Sequence, residues 1–224
     1  MDGDADLAAV GALLAEPARA RILAALGDGR ALPASVLAAE ARVAPSTASE
    51  HLARLVGGGF LAVESRGRRR YFSLSGPEIA EALEAIARVA PREPVRSLRE
   101  ATRAEALRQA RTCYDHLAGA LGTALLDALV GRGVVAGESV TTDGVEVLKR
   151  LGVDLDSVPG RRPLFRSCLD WSEQRPHAAG KLGAALAARC FELGWVERLD
   201  GSRAVRVTAA GEAGFADAFG LALS

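Results

Sequence analysis

Pro45-Ser46-Thr47-Ala48-Ser49-Glu50-His51-Leu52-Ala53-Arg54-Leu55-Val56, stopped by Gly57-Gly58-Gly59, is the stretch whose reading decides the fold. Proline is tolerated in a helix's first turn, where its missing N–H bonds nothing in any case, and glycine commonly ends a helix. The stretch is therefore bounded as one helix, with Thr47 to Val56 as its body. Ala48, Leu52 and Leu55 recur at helical spacing and form an apolar stripe toward a core. Ser46, Thr47, Ser49, Glu50, His51 and Arg54 are left on the polar side.

Upstream, Leu7, Val10, Leu13 and Leu14 recur at helical spacing, and Pro17 starts a second helix whose Ile22, Leu23 and Leu26 continue an apolar stripe until Gly27-Asp28-Gly29. A short helix over about Pro33 to Ala41 follows. Downstream, Phe60 to Glu64 and Arg70 to Leu74 alternate apolar and polar, so they read as a hairpin with Ser65-Arg66-Gly67-Arg68-Arg69 as its basic tip. Pro77 opens a last helix carrying Ile79, Leu83, Ile86 and Val89. Two helices joined by a tight turn and followed by a two-stranded wing make a winged helix-turn-helix, whose second helix fits a DNA major groove. Hydroxyls at a helix start bond phosphates or base edges, helped by the positive helix terminus. The tip adds Arg66, Arg68, Arg69 and Arg70, whose phosphate or minor-groove contacts would make affinity fall steeply with salt. A winged helix used for protein contacts, with these arginines a solvated turn, is the alternative.

Composition narrows the remaining classes. Forty-nine per cent apolar and 25% charged residues suffice for a globular core in 224 residues, but with 4% aromatics that core rests on Ala, Leu and Val. Net charge is zero, so any attraction to nucleic acid must come from local clustering. Lys149 and Lys181 are the only lysines, so a lone arginine carries little information here. The acidic opening Met1 to Asp6 argues against a secretory or transit peptide, and no apolar run approaches the roughly 18 residues of a membrane helix. Three cysteines suggest no disulfide scaffold and fit a reducing cytoplasm.

The second half repeats itself. Arg111-Thr112-Cys113-Tyr114-Asp115-His116 returns as Arg166-Ser167-Cys168-Leu169-Asp170-Trp171. The first copy continues through Gly119, Leu121, Gly122 and Leu125; the second, after an insertion, runs from His177 through Gly180, Leu182, Gly183 and Leu186. Both close on a Val-Thr-x-x-Gly step, Val140 to Gly144 and Val207 to Gly211. Gly194-Trp195-Val196 to Thr208 also echoes the wing of the first half, without its arginines. The sequence thus predicts a mainly α protein with small β wings (α+β). It has a winged helix-turn-helix over residues 1–92, bounded by Pro91-Arg92-Glu93-Pro94, and a C-terminal helical domain over 93–224. That domain is built from two degenerate winged-helix-like repeats at about 103–152 and 161–224.

The first half resembles the arsenical-resistance-repressor (ArsR/SmtB) type of winged-helix regulators. The resemblance rests on Glu16 to Leu26, Ala44 to Leu55 with its Ser-x-x-Ser-x-His-Leu core, Gly59-Phe60-Leu61, and Arg69-Arg70-Tyr71-Phe72. It implies a homodimeric, cytoplasmic transcription repressor that leaves an inverted-repeat operator on double-stranded DNA when an effector binds. It also implies that Leu7, Val10, Leu13 and Leu14, with the helix from Pro77 to Val89, form the dimer surface. The metal sites common in the family do not carry over: Ala34 to Ala41 has no cysteine and Pro77 to Val89 no histidine.

What the second half senses stays open at this stage. Apart from His51, each histidine belongs to a repeat copy that also supplies a cysteine: Cys113 with His116, and Cys168 with His177. Cys113 and His116 are predicted to share one face of a helix. If the copies pack about a pseudo-twofold, the pairs would converge as a Cys2His2 set suited to zinc-class ions. A second reading is an organic or anionic ligand pocket lined by Tyr114, Trp171, Phe165 and Phe191, with Arg111 or Arg166 as counter-charge. A third is packing alone, with Cys113 and Cys168 as small buried apolar groups; Cys190 is expected in the core. A thiol redox pair of Cys113 and Cys168 is a further alternative. A Cys–His enzyme is disfavoured, because no orienting third group, oxyanion loop or cofactor fingerprint accompanies the pair.

Overall fold

A computed structural model describes residues 4–92 and 94–223, so Met1 to Gly3 of the acidic opening and Glu93 of the proline boundary lie outside the described residues. The chain divides into a unit ending at Leu83 and one starting at Glu84. The division falls inside the helix before the proline pair that the sequence suggests as a boundary.

The first unit runs α1 (Leu7–Leu14), α2 (Pro17–Ala25), β1 (Leu32–Pro33), α3 (Ala34–Ala41), α4 (Pro45–Gly57), β2 (Leu61–Arg66) and β3 (Arg69–Leu74), and enters α5 (Pro77–Val89). Pro17 and Pro45 occupy first-turn positions of α2 and α4. The core joins Ile22, Leu23 and Leu26 to Leu37, then to Ala48, Leu52 and Leu55 of α4, with Phe60, Phe72 and Leu74 beneath. The strands pair from Leu61↔Leu74 to Arg66↔Arg69, and β1 adds to β3 in the order β1-β3-β2. Both strands therefore reach further than their alternation suggests. The tip is a two-residue turn, Gly67-Arg68, instead of the five-residue Ser65 to Arg69. Gly67 makes this tight reversal feasible by adopting a positive φ of 61°. Buried Arg19 donates to the Leu13 and Ala12 carbonyls at 2.7 Å each, closing the end of α1.

The second unit holds the rest of α5, then α6 (Leu98–Gln109), followed by two runs with the same order of elements. The first is β4 (Arg111–Cys113), β5 (His116–Ala118), α7 (Gly119–Gly131), β6 (Val135–Ala136), β7 (Ser139–Val140) and α8 (Thr142–Arg150). The second is β8 (Arg166–Leu169), β9 (Pro176–Ala179), α9 (Gly180–Glu192), β10 (Val196–Arg198), β11 (Val205–Val207) and α10 (Ala209–Phe219). Leu121, Leu125, Leu129, Leu148, Leu182, Leu186, Val196 and Phe215 form its core. Helix α6 stops at Gln109, and the chain turns into strand at Arg111.

One closure occurs three times along the chain. After α4, α7 and α9 the glycines Gly59, Gly133 and Gly194 take positive φ, and the next residue's N–H returns to a helix carbonyl: Phe60 to Leu55, Val134 to Leu129 and Trp195 to Cys190, each at 2.9 Å. A hydroxyl then ties each hairpin shut on the glycine carbonyl: Ser75 on Gly59, Thr141 on Gly133 and Thr208 on Gly194. Thr141 and Thr208 also cap α8 and α10 by accepting from the N–H groups of Gly144 and Gly211. The paired Val-Thr-x-x-Gly steps of the sequence are these two caps. A Cβ at Gly211 would lie 2.1 Å from the Trp195 carbonyl oxygen, and one at Gly144 would lie 2.3 Å from that of Val134.

Candidate functional site

Two sets of side chains stand out, one in each unit. On α4 the apolar residues Ala48, Leu52 and Leu55 are buried, while Ser46, Ser49, Glu50 and Arg54 are exposed and Thr47 and His51 half-buried. The Ser49 hydroxyl donates to the Pro45 carbonyl at 2.9 Å, which fixes its rotamer and leaves its oxygen open to a donor. Arg66, Arg68, Arg69 and Arg70 are all exposed at the wing. Arg66 is partly engaged, 2.9 Å from Glu64 and over the Tyr71 ring, and Arg70 stacks over Phe72. Direct pairing of Arg66 with Arg69 sets two like charges opposite one another on the tip, an arrangement that a polyanion would relieve.

The second set is in the second unit. Cys113 and His116 do not share a helix; they face each other across the β4–β5 hairpin as register partners, and Cys168 and His177 do the same across β8–β9. The physical reason is the turn: Tyr114 takes φ 57°, a left-handed conformation that no helix could pass through. Each hairpin thus offers one thiol and one imidazole. The helix after each hairpin packs on the other hairpin's histidine strand, at Gly122 beneath His177 and Gly183 beneath His116. A Cβ at Gly183 would come within 3.0 Å of the His116 Cβ, so the small residue permits the close approach. The result is that ligand atoms of Cys113, His116, Cys168 and His177 all lie within 4.8 Å of one another, and the two imidazole rings are 5.1 Å apart.

Both ring nitrogens of His177 and Nε2 of His116 are buried without a hydrogen-bond partner. Unpaired buried polar atoms of this kind are rare and costly. The hydrogen bond with Cys168, and then burial, push the Cys113 thiol well above its usual value. The same bond, against burial and helped by both histidines, holds Cys168 far below its own. Burial pulls the His116 imidazole down, but Asp115 and Cys168 outweigh it and raise its pKa. Burial pushes Cys190, in the core as expected, up to about 12.

Carboxylates stand behind both imidazoles. Asp115 lies 3.3 Å from His116 Nδ1 and is gripped by Arg162; Asp170 lies 3.5 Å from His177 Nδ1. Asp170 accepts from Arg111 Nη2 at 2.9 Å, from the Gly119 N–H at 2.7 Å and from Ser172 and Glu173 N–H groups. Burial would raise its pKa, but the Arg111 charge and the Gly119 N–H hold it well below the carboxylate range. Arg111 has no exposed side chain and also faces Glu84, which Arg203 holds at 2.7 Å. Asp170, Glu84, Arg203 and Arg162 have no individual prominence in the sequence. Only the matching Arg-x-Cys-x-Asp of the two copies signals the aspartates.

The residues considered for a ligand pocket are placed differently. Arg111 is already paired with Asp170, and the guanidinium carbons of Arg111 and Arg92 lie 4.7 and 4.6 Å from the Trp171 ring centroid. Tyr114 is half-buried beside Arg162, Phe165 is buried, Phe191 lies under Arg198, and Arg166 is half-buried in β8. A small cavity between α7 and α9 is lined by Leu117, Gly122, Leu125, Ala178, Gly183, Leu186 and Ala187, none of them from that set.

Comparison with known proteins bears on both units. A family of helix-turn-helix domains matches residues 14–64. The uncharacterized HTH-type transcriptional regulator YdfF of Bacillus subtilis is 39% identical over 215 residues, spanning 94% of this chain and 95% of that protein. The HTH-type transcriptional regulator CmtR of Mycobacterium tuberculosis is 39% identical over 83 residues, 37% of this chain and 70% of its own. Among solved structures, the cadmium metal-sensor CMTR of M. tuberculosis is matched at 34% identity and TM-score 0.32, over 41% of this chain and 98% of that one. Reduced HlyU of Vibrio cholerae is matched at 23% identity and TM-score 0.35, over 38% and 90%.

Proposed function

We propose that this chain, which belongs to the helix-turn-helix transcriptional regulators, works as a homodimeric repressor that reads an inverted-repeat operator and is released by an effector. It is a DNA-binding regulator and not an enzyme. The observation that carries the DNA reading is the α4 surface: a buried apolar stripe on one side, and Ser46, Ser49, Glu50 and Arg54 exposed on the other, followed by four exposed wing arginines. Short polar side chains near a helix start suit base edges, and the wing suits phosphates. A dimer would present two such helices about one helical turn, roughly 34–36 Å, apart. The exposed apolar surface at Leu7 of α1, and separately at Ile86 and Val89 of α5, supports self-association.

For the effector, the Cys113, His116, Cys168 and His177 cluster favours a zinc-class ion. Two thiols and two imidazoles suit borderline-soft d10 ions, and four protein ligands would leave no open position for catalysis. A tetrahedron with metal–ligand bonds of about 2.0–2.3 Å has edges of roughly 3.3–3.8 Å, so a set spread over 4.8 Å needs to close by about 1–1.5 Å at its widest. The unpartnered ring nitrogens are the observation that favours this reading over packing alone.

The DNA reading is tested by mixing the chain with fragmented genomic DNA and sequencing what it retains. Enrichment of a few fragments that share an inverted repeat is expected; uniform retention would overturn it. The metal reading is tested on anaerobically purified protein. One equivalent of metal, lost alike in Cys113→Ser and Cys168→Ser, is expected. Wild-type protein that takes up none when offered zinc would leave an organic ligand or simple packing.

A further inference from the structure

Arg111 sits between two carboxylates and is fully satisfied by neither. Its Nη2 lies 2.9 Å from Asp170 Oδ2 and 3.6 Å from Glu84 Oε2. Glu84 Oε2 and Arg111 Nε are both buried without a hydrogen-bond partner. The guanidinium carbon lies 4.7 Å from the Trp171 ring centroid, and the residue has no exposed surface. The same Asp170 oxygen takes the Gly119 N–H at 2.7 Å and faces His177 Nδ1 at 3.5 Å, too far for a good hydrogen bond. Two donors therefore share one oxygen, and a ring nitrogen of the Cys/His cluster lies just beyond hydrogen-bond reach of it.

We infer that Arg111 is a two-position coupler that reports occupancy of the Cys/His cluster to helix α5, which carries Glu84. The inference rests on the metal reading proposed above. An ion bound through Nε2 fixes the His177 ring and presents its Nδ1–H to Asp170, as metal-bound histidines commonly do with a carboxylate behind them. That added donor draws on Oδ2, and the guanidinium swings toward the unpartnered oxygen of Glu84, less than 1 Å beyond ordinary hydrogen-bond reach. Arg203 already holds the other Glu84 oxygen at 2.7 Å, so the shift clamps Glu84 from both sides and stiffens the helix that follows the wing in the chain. Arg111 is suited to this because its Nη1 is anchored on the Leu107 carbonyl at 3.1 Å and Ser172 Oγ at 3.0 Å while two carboxylates compete for Nη2, and two discrete pairings of that nitrogen are what a switch requires.

The experiment measures amide hydrogen exchange across Pro77–Val89 in the full chain, with and without one equivalent of zinc, and zinc affinity by competition with a chromophoric chelator. In the wild type, zinc is expected to slow exchange in that helix about five-fold or more, the lower end of ordinary coupling between sites. Glu84→Gln is expected to bind zinc within about five-fold of the wild type, as reciprocal coupling requires, and to lose the slowing. Glu84→Asp, which keeps the charge and shortens the reach, should lose it too. An unchanged cobalt(II) absorption spectrum in each variant would show that the cluster is intact. Slowing that persists in both variants, or a zinc-loaded wild type with no slowing, would overturn the inference while leaving the metal reading in place. Failure of the wild type to bind zinc would overturn both.

Discussion

Truncating Arg111 leaves Asp170 and Glu84 as buried carboxylates that have lost their shared counter-charge. Arg111→Ala is therefore expected to cost about 3–5 kcal/mol, read as a lowered denaturant midpoint at unchanged slope. An effect below 1 kcal/mol would mean that water reaches the pair. On the DNA side, Ser49→Ala or His51→Ala is expected to weaken binding to a retained operator by about 1–3 kcal/mol while sparing random DNA. Equal loss on both would remove these side chains from base reading. At this scale the sequence shows the cluster only through its internal repeat, which pairs each cysteine with a histidine. It hides the hairpins, because the left-handed turn residue Tyr114 is not a glycine and the strands are three or four residues long. Glu84 and Arg203 were illegible because their partnership spans 119 residues.

The wing is the element whose charges are most separable from its fold. Arg68, Arg69 and Arg70 are exposed, so replacing all three by Ala should leave stability nearly unchanged while lowering affinity for every DNA sequence. The slope of log affinity against log salt should flatten by about 0.9 for each phosphate contact removed. An unaltered slope would place the arginines off the backbone. In the second unit, Thr208→Ala removes the cap of α10 and a tie to the Gly194 carbonyl, and about 1 kcal/mol of stability should go with it. Thr141→Ala should behave alike at α8. The helix-turn-helix and wing were readable because proline and glycine punctuate them at Pro17, Pro45, Gly59 and Pro77. The β4 and β8 strands carry no such punctuation, and a Cys-x-x-His spacing fits a helix face as well as a two-residue hairpin.

At the scale of the whole chain, zero net charge means that any attraction to DNA has to come from local clusters such as the wing arginines. The similarity to YdfF extends over nearly the whole chain, so the second unit belongs to the regulator as much as the DNA-reading domain does. The repeated Val-Thr-x-x-Gly steps of the sequence correspond to the Thr141 and Thr208 caps. The division inside α5 was not readable, because helix periodicity continues smoothly from Leu83 to Val89 and only three-dimensional packing shows where one core ends. The most direct test of sequence-specific recognition is competition, at physiological salt, between a genomically retained fragment and random DNA of equal length for the full chain. The retained fragment is expected to bind about a thousand-fold more tightly or better. Equal affinity for the two would contradict the account.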